Sequence, residues 1–136
     1  MHVTLVTLSG LLFNDTAQEV HIRTPLGAMV VLPHHEPLSG VTLSGPIVIV
    51  DQENNDEIFA SYGGLVEISN NQVRLLVDEA DHARDLVESE IAEALHAAQE
   101  MKLNAKDQTE LAEAQRLIDR HAVRLEVTQL RRRTRR

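Results

Sequence analysis

The chain has 136 residues, 43% of them apolar, with 21 acidic against 13 basic side chains and no cysteine. That is enough apolar mass for one packed domain or two small ones, while disulfides, zinc–thiolate sites and thiol catalysis are excluded together. The net charge of −8 is uneven: residues 131–136 hold five arginines, and the body before them has eight basic side chains against 21 acidic ones, a balance that disfavours nucleic-acid phosphate as a partner. Only Phe13, Phe59 and Tyr62 are aromatic, so platforms for stacking bases or sugars are scarce. No run approaches the ~18 apolar residues that cross a bilayer, and the opening MHVTLVTLSG lacks a signal-peptide pattern. A soluble globular protein is expected, reaching a membrane only through a partner and never by direct insertion.

Val3 to Thr7 and Leu11 to Phe13 read as two strands separated by Ser9-Gly10, with Asn14-Asp15 as the next turn. Ala17 to Arg23 is a third, half-exposed strand that ends at Pro25. Met29 to Leu32 is a short apolar run between Gly27 and Pro33, consistent with a buried strand. Leu38 to Leu43 is weakly β, and Ser44-Gly45-Pro46 predicts a turn before the strong strand Ile47 to Val50. Asn54-Asn55-Asp56 reverses the chain into Glu57 to Ser61. Gly63-Gly64 marks a bulge or a close backbone approach. Leu65 to Ser69 then pairs with Gln72 to Asp78 across Asn70-Asn71, whose side chains tolerate positive φ.

Within Gln72 to Ala94 the apolar period changes. Val73, Leu75 and Val77 alternate as in a strand, whereas Ala83, Val87, Ile91, Ala94 and Ala98 share one helical face. This helix runs to Leu103. A second starts at Asp107, with Glu110 as its capping-box partner and Leu111, Ala114, Ile118, Ala122 and Leu125 as its apolar stripe. The short turn between them predicts an antiparallel hairpin. The fold class is therefore α+β: an N-terminal antiparallel β-sandwich over residues 1–81, then a helical hairpin with a basic tail over 82–136. Both helical stripes are alanine-rich, so the hairpin is expected to be the less firmly held half.

Little in the chain points to catalysis. His34-His35-Glu36 invites a metal, but neighbouring residues of a strand point to opposite faces, and a loop between Pro33 and Pro37 serves equally as structure or interface. Glu88, Glu90 and Glu93 read as a solvated helix face. There is no phosphate loop and no nucleophile elbow. The residues describe a binding or mechanical module, with a stand-alone sandwich adaptor and a small cupin-like metalloenzyme as the alternatives.

Three motifs in register resemble the epsilon subunit of the F-type rotary ATP synthase, called delta in mitochondria. Leu32, Pro33, His35, Pro37 and Leu38 match its Leu-Pro-Gly-His-Ala-Pro-Leu loop. Gly63, Gly64, Glu67 and Ile68 match its Ser-Gly-Gly segment, with Tyr62 in place of the serine. Leu76, Asp78, Ala80 and Asp81 match the strand end that precedes its helices. The resemblance implies a sandwich of about ten strands followed by two helices, without catalytic residues, in the central stalk. It implies the gamma subunit and the membrane c-ring as partners, with the alpha and beta subunits contacted if the hairpin extends to inhibit ATP hydrolysis. It also implies a place on the cytoplasmic side of the bacterial plasma membrane, as a peripheral part of the complex.

The resemblance assigns the rotor interface to Ala28, Met29, His34, His35 and Glu36. Here Ala28 and Val30 replace an acid and a glycine of the family, which makes that contact more apolar. The family's nucleotide motif falls on Leu86, Val87, Glu90 and Ile91, without its acid and its arginine. No cofactor is expected. Asp81, Arg120 and Arg124 are the residual candidates for ATP, with the two arginines expected as surface residues. Arg131, Arg132, Arg133, Arg135 and Arg136 are either a solvated helix end or the inhibitory contact with the catalytic subunits.

Overall fold

A computed structural model gives the structure of residues 1–134. Eight strands form one sheet: β1 (His2–Thr7), β2 (Gly10–Thr16), β3 (Glu19–Thr24), β4 (Gly27–Val31), β5 (Leu38–Val50), β6 (Asp56–Ser69), β7 (Gln72–Val77) and β8 (Ala80–His82). Their order is β2-β1-β7-β6-β5-β3-β4, with β8 on β6. All pairs are antiparallel except β1 with β7, a departure from the all-antiparallel expectation.

The expected turn at Ser44-Gly45-Pro46 does not form; β5 runs straight through it. The last β3 partner on β5 is Val48, so at Pro46 only the β6 flank is paired, and a residue without an N–H is tolerated. β5 and β6 pair along their whole length, except at Leu43 and Gly63, between the pairs Thr42–Gly64 and Ser44–Tyr62. Gly63 has φ 104° there, a backbone that suits only glycine. Dividing both strands at this point turns eight strands into ten and one sheet into two layers.

One layer holds β2, β1, β7 and the adjoining halves of β6 and β5. The other holds β4, β3, β8 and the remaining halves. Inward residues from both layers make the core: Val3, Leu5, Val66, Val73 and Leu75 from the first, Val20, Ile22, Val31, Ile47, Ile49 and Phe59 from the second. Gly64 lies under Leu76, where an added Cβ would come within 2.2 Å of the Leu76 carbonyl oxygen. Asn70 and Asn71 adopt φ of 50° and 58° and close the β6–β7 hairpin in two residues.

The helical segment starts later than its apolar pattern predicts. Ala83–Asp85 form a short 3-10 turn, in which Arg84 N–H donates to His82 Nδ1, and Val87 is the residue before α1 (Glu88–Leu103). Ala83 and Val87 are thus outside the helix. Asp107 caps α2 (Gln108–Thr134) by accepting from Glu110 N–H, while the Glu110 carboxylate reaches back to Lys106 N–H. Its apolar face agrees with expectation at buried Ala114 but departs from it further on: Ala122 is exposed, and Val123 and Val127 are buried. α2 packs against both α1 and the sheet, so no single stripe describes it.

Candidate functional site

The outer surfaces of the two layers differ. On the second layer, outward-facing Ile58 and Ala60 of β6 pack with Ala83, Val123 and Val127, flanked by Val48, Tyr62, Leu86 and Leu130. α2 therefore covers an apolar sheet face that alternates with the inward residues Phe59 and Ile49.

On the first layer, cross-strand pairing sets Val41 beside Leu65, Leu65 beside Leu76, Leu76 beside Val6, and Val6 beside Leu11. Paired residues share a face, so these five form an apolar row across β5, β6, β7, β1 and β2. Val41, Leu65 and Leu11 are each half exposed or more, and no helix among the described residues lies over them. The next row along, Glu67 and Arg74, is charged and joined by a 3.5 Å ion pair. A charged row bordering an aliphatic one has the makeup of an interface core with a polar rim.

Where the hairpin meets the sandwich, a polar cluster draws on β6, β8 and α2. The Tyr62 hydroxyl donates to Asp81 Oδ2 at 2.5 Å. Arg124 Nε donates to the Tyr62 hydroxyl at 2.7 Å and to Asp81 Oδ2 at 2.9 Å. Arg120 lies over the Tyr62 ring, 4.3 Å from its centroid, and pairs with Glu79. Burial, and then the hydrogen bond and charge of Asp81, push the Tyr62 hydroxyl up to about 12. Burial, and then the charges of Arg124 and Arg120, hold His121 below its ordinary value.

The structure thus brings Asp81, Arg120 and Arg124 together. The two arginines are not the free surface cations expected: each is partly buried and engaged by the sandwich. The residue that joins them is Tyr62, and its replacement of the family's serine beside Gly63-Gly64 was the available signal. Leu86 packs under α2, Val87 precedes α1, Glu90 is exposed and Ile91 is buried.

The expected rotor residues occupy two places. Ala28 is exposed on β4, but Met29 packs partly against the sandwich core, because it pairs with inward-facing Ile22. The fully exposed apolar residue beside them is Leu26, at the β3–β4 turn, which no motif of the sequence singles out. His34 has φ 65° and donates its N–H to Asn71 Oδ1 at 2.8 Å; the His35 ring meets the Glu36 carbonyl at 2.6 Å. Among the described residues no group of three or more potential metal ligands converges, there or elsewhere. In the tail, Arg131 donates to the Ala83 carbonyl at 3.2 Å and Arg132 lies 3.4 Å from Glu88, while Arg133 is exposed. Arg135 and Arg136 lie outside the described residues.

The family model described as ATP synthase, Delta/Epsilon chain, beta-sandwich domain matches residues 1–83. The chain belongs to that family. Among solved structures, this delta/epsilon chain is similar to one from the Euglena gracilis mitochondrial ATP synthase (OSCP/F1/c-ring, rotational state 1). The TM-score is 0.79 at 18% identity, over 88% of this chain and 76% of the other. A chain of the Tetrahymena thermophila mitochondrial ATP synthase central stalk and c-ring gives a TM-score of 0.62 at 19% identity, over 94% of this chain and 96% of that one. At such identities these likenesses concern the fold, and they extend past the sandwich into the two helices. No helix among the described residues of this delta/epsilon chain is long and apolar enough to cross a membrane.

Proposed function

We propose that this delta/epsilon chain is a non-catalytic rotor subunit in the central stalk of an ATP synthase, which joins the catalytic head to the c-ring. The observation that carries the reading is the contrast between its two outer sheet faces. One is covered by the chain's own α2. The other presents Val41, Leu65, Leu76, Val6 and Leu11 with no cover from the described chain, and a row of aliphatic side chains across five strands is stabilised by a partner that removes it from water.

The gamma subunit is the partner we assign to that row. The c-ring is assigned to the β3–β4 turn, where Leu26 and Ala28 are exposed; both solved relatives come from assemblies that include a c-ring. Such a subunit is held peripherally by its complex, in our reading on the cytoplasmic side of a bacterial plasma membrane. The hairpin needs no ATP to stay docked, because Arg120 and Arg124 are already matched by Glu79, Asp81 and Tyr62. A reach toward the alpha and beta subunits would first have to free Arg131 and Arg132 from Ala83 and Glu88.

The test is affinity capture of the tagged chain from detergent-solubilised membranes, with Leu65→Arg as the variant. The parent is expected to retain gamma and the c-ring, and Leu65→Arg to lose gamma with an unchanged thermal transition, since Leu65 points outward. A parent that retrieves no ATP synthase subunit defeats the rotor reading. A Leu65→Arg chain that keeps gamma in full removes the row as its docking surface.

A further inference from the structure

We propose that the open edge of β4 pairs with the β4 edge of a second copy of this chain, in a two-fold antiparallel seam centred on Met29, when the chain is outside its complex. The pairing concerns the chain alone; only its relation to the complex rests on the rotor reading.

The strand order ends in β2 on one side and in β4 on the other, and the two ends are built differently. An end strand presents backbone N–H and C=O groups without a ladder partner, and proteins blunt such edges with charge, proline or a bulge. β2 is blunted. Its register with β1 shifts between Leu5 and Val6, it carries Asp15, and that carboxylate takes the Thr16 N–H at 2.7 Å. β4 has none of these devices. It pairs with β3 in unbroken register from Val20–Val31 to Thr24–Gly27, Pro25 and Pro33 both fall outside it, and no carboxylate, lysine or arginine lies between Arg23 and Glu36. Among the described residues, β3 is its only strand partner.

The side chains along this edge indicate what fits it. Leu26 to Leu32 is a run without a single polar side chain, a composition that favours the addition of a further strand. Leu26 is fully exposed, and Val30 and Leu32 are about half exposed. The run is nearly symmetric about Met29, with a leucine at each end and Ala28 and Val30 on either side of the centre. With the two-fold axis at Met29, Leu26 of one copy meets Leu32 of the other, and Ala28 meets Val30. Met29, which packs partly against the sandwich core, meets its counterpart and closes the open side of both cores. No like charges are opposed anywhere along the seam. A second copy thus brings a strand whose uncharged length and side-chain pattern match the edge it joins.

A seam of one strand pair belongs to the smaller class of interfaces, below about 1,200 Å², so monomer and dimer exchange with concentration. Two bodies of net charge −8 repel each other, and salt strengthens the pairing by screening that repulsion. Pairing also covers Leu26 and Ala28, the residues assigned above to the c-ring. In the rotor reading the dimer therefore holds copies outside the complex, and assembly replaces the second copy at this edge.

Sedimentation velocity of the full-length chain tests the seam. The parent is expected to shift from monomer to dimer as concentration rises, and more readily at higher salt. Val30→Lys and Ala28→Lys each enter a two-fold seam twice, and each should raise the dissociation constant at least about tenfold at an unchanged thermal transition. Leu65→Arg, on the uncovered row of the other layer, should dimerise as the parent does. The chain has no native cysteine, so Met29→Cys should cross-link only to its own counterpart under mild oxidation. Facing Cα atoms in an antiparallel pair lie about 4.5–5.5 Å apart, within disulfide reach. A parent that stays monomeric at every concentration would overturn the proposal, as would a dimer that survives both lysine variants or is lost in Leu65→Arg. A dimer that weakens with salt would replace the seam with ion pairs, and one that fails to cross-link through Met29→Cys would remove the centre at that residue. Capture of ATP synthase subunits by the tagged parent is independent of all these outcomes, so failure of the seam and failure of the rotor reading are told apart.

Discussion

The sandwich interior and the seam beneath α2 are built on the same strands, yet they differ in kind. Phe59 and Ile49 face inward among Leu5, Leu75, Val20 and Val66, each of these 2% exposed or less, in a core closed on both sides by sheet. Ile58 and Ala60, which flank Phe59 in sequence, face outward to two valines and an alanine and border a cluster of charges. Fully burying one Leu, Ile, Val or Phe contributes about 1.5–3 kcal/mol, so the interior has many such terms and the seam few. Alternation along one strand thus serves two purposes: a closed core on one face and a contact with α2 on the other.

Three perturbations would break or sharpen this contrast, the largest first. Leu75→Ala opens a cavity at a fully buried site and is expected to cost about 2–5 kcal/mol. The denaturant midpoint should fall for the whole molecule, sandwich and helices together. A loss confined to the helices would contradict the division. Val127→Ala removes apolar surface from the seam and should cost about 1–2 kcal/mol. Here the loss should register as increased protease access to α2 at an unchanged sandwich transition; a lowered sandwich midpoint would show the two regions to be one cooperative unit.

The smallest effect is a pH dependence of hairpin docking. Tyr62 titrates in the docked state at about 12 against an ordinary 10.0, because burial and Asp81 favour its neutral form. Docking supported by the neutral hydroxyl is therefore complete below pH 10 and is lost as pH climbs through about 12. His121 has its docked value lowered from 6.5 first by burial and then by Arg124 and Arg120 of its own helix, so the burial part alone is tied to docking. Its contribution is present above pH 6.5 and is lost as pH falls through the docked value. Docking should be strongest between these limits. Tyr62 is the sole tyrosine and there is no tryptophan, so tyrosinate absorbance reports the upper limit directly. A midpoint at the value of free tyrosine would remove that arm.

Much of the sandwich was legible because local chemistry and tertiary structure agree there. Asn70-Asn71 adopt the positive φ their side chains permit, Gly64 sits where a Cβ has no room, and Ile47 to Val50 form a strand buried from both faces. The misreadings arise where a distant partner decides. Pro46 is accommodated because β3 ends before it, which its own neighbours do not announce. Val123 and Val127 look like minor residues of a helix whose stripe starts at Leu111; the sheet selects them. Arg120 and Arg124 read as solvated because their anionic partners lie on β8 and in the segment before it, about forty residues earlier in the chain. Pairing by i, i+4 rules cannot reveal such a match.

The continuity of β6 past Gly63 has a mechanical consequence. Leu65 belongs to the uncovered row and Tyr62 to the polar cluster under α2, and a few peptide units of one strand separate them. A pull on either is carried by covalent backbone, which resists stretching far better than side-chain packing resists shear. Between them lies the one residue of β6 whose φ, 104° at Gly63, leaves the β region. The two outer faces of the sandwich thus share one beam, broken in its pairing at one point, and a load placed on the first reaches the second through the backbone of a single strand.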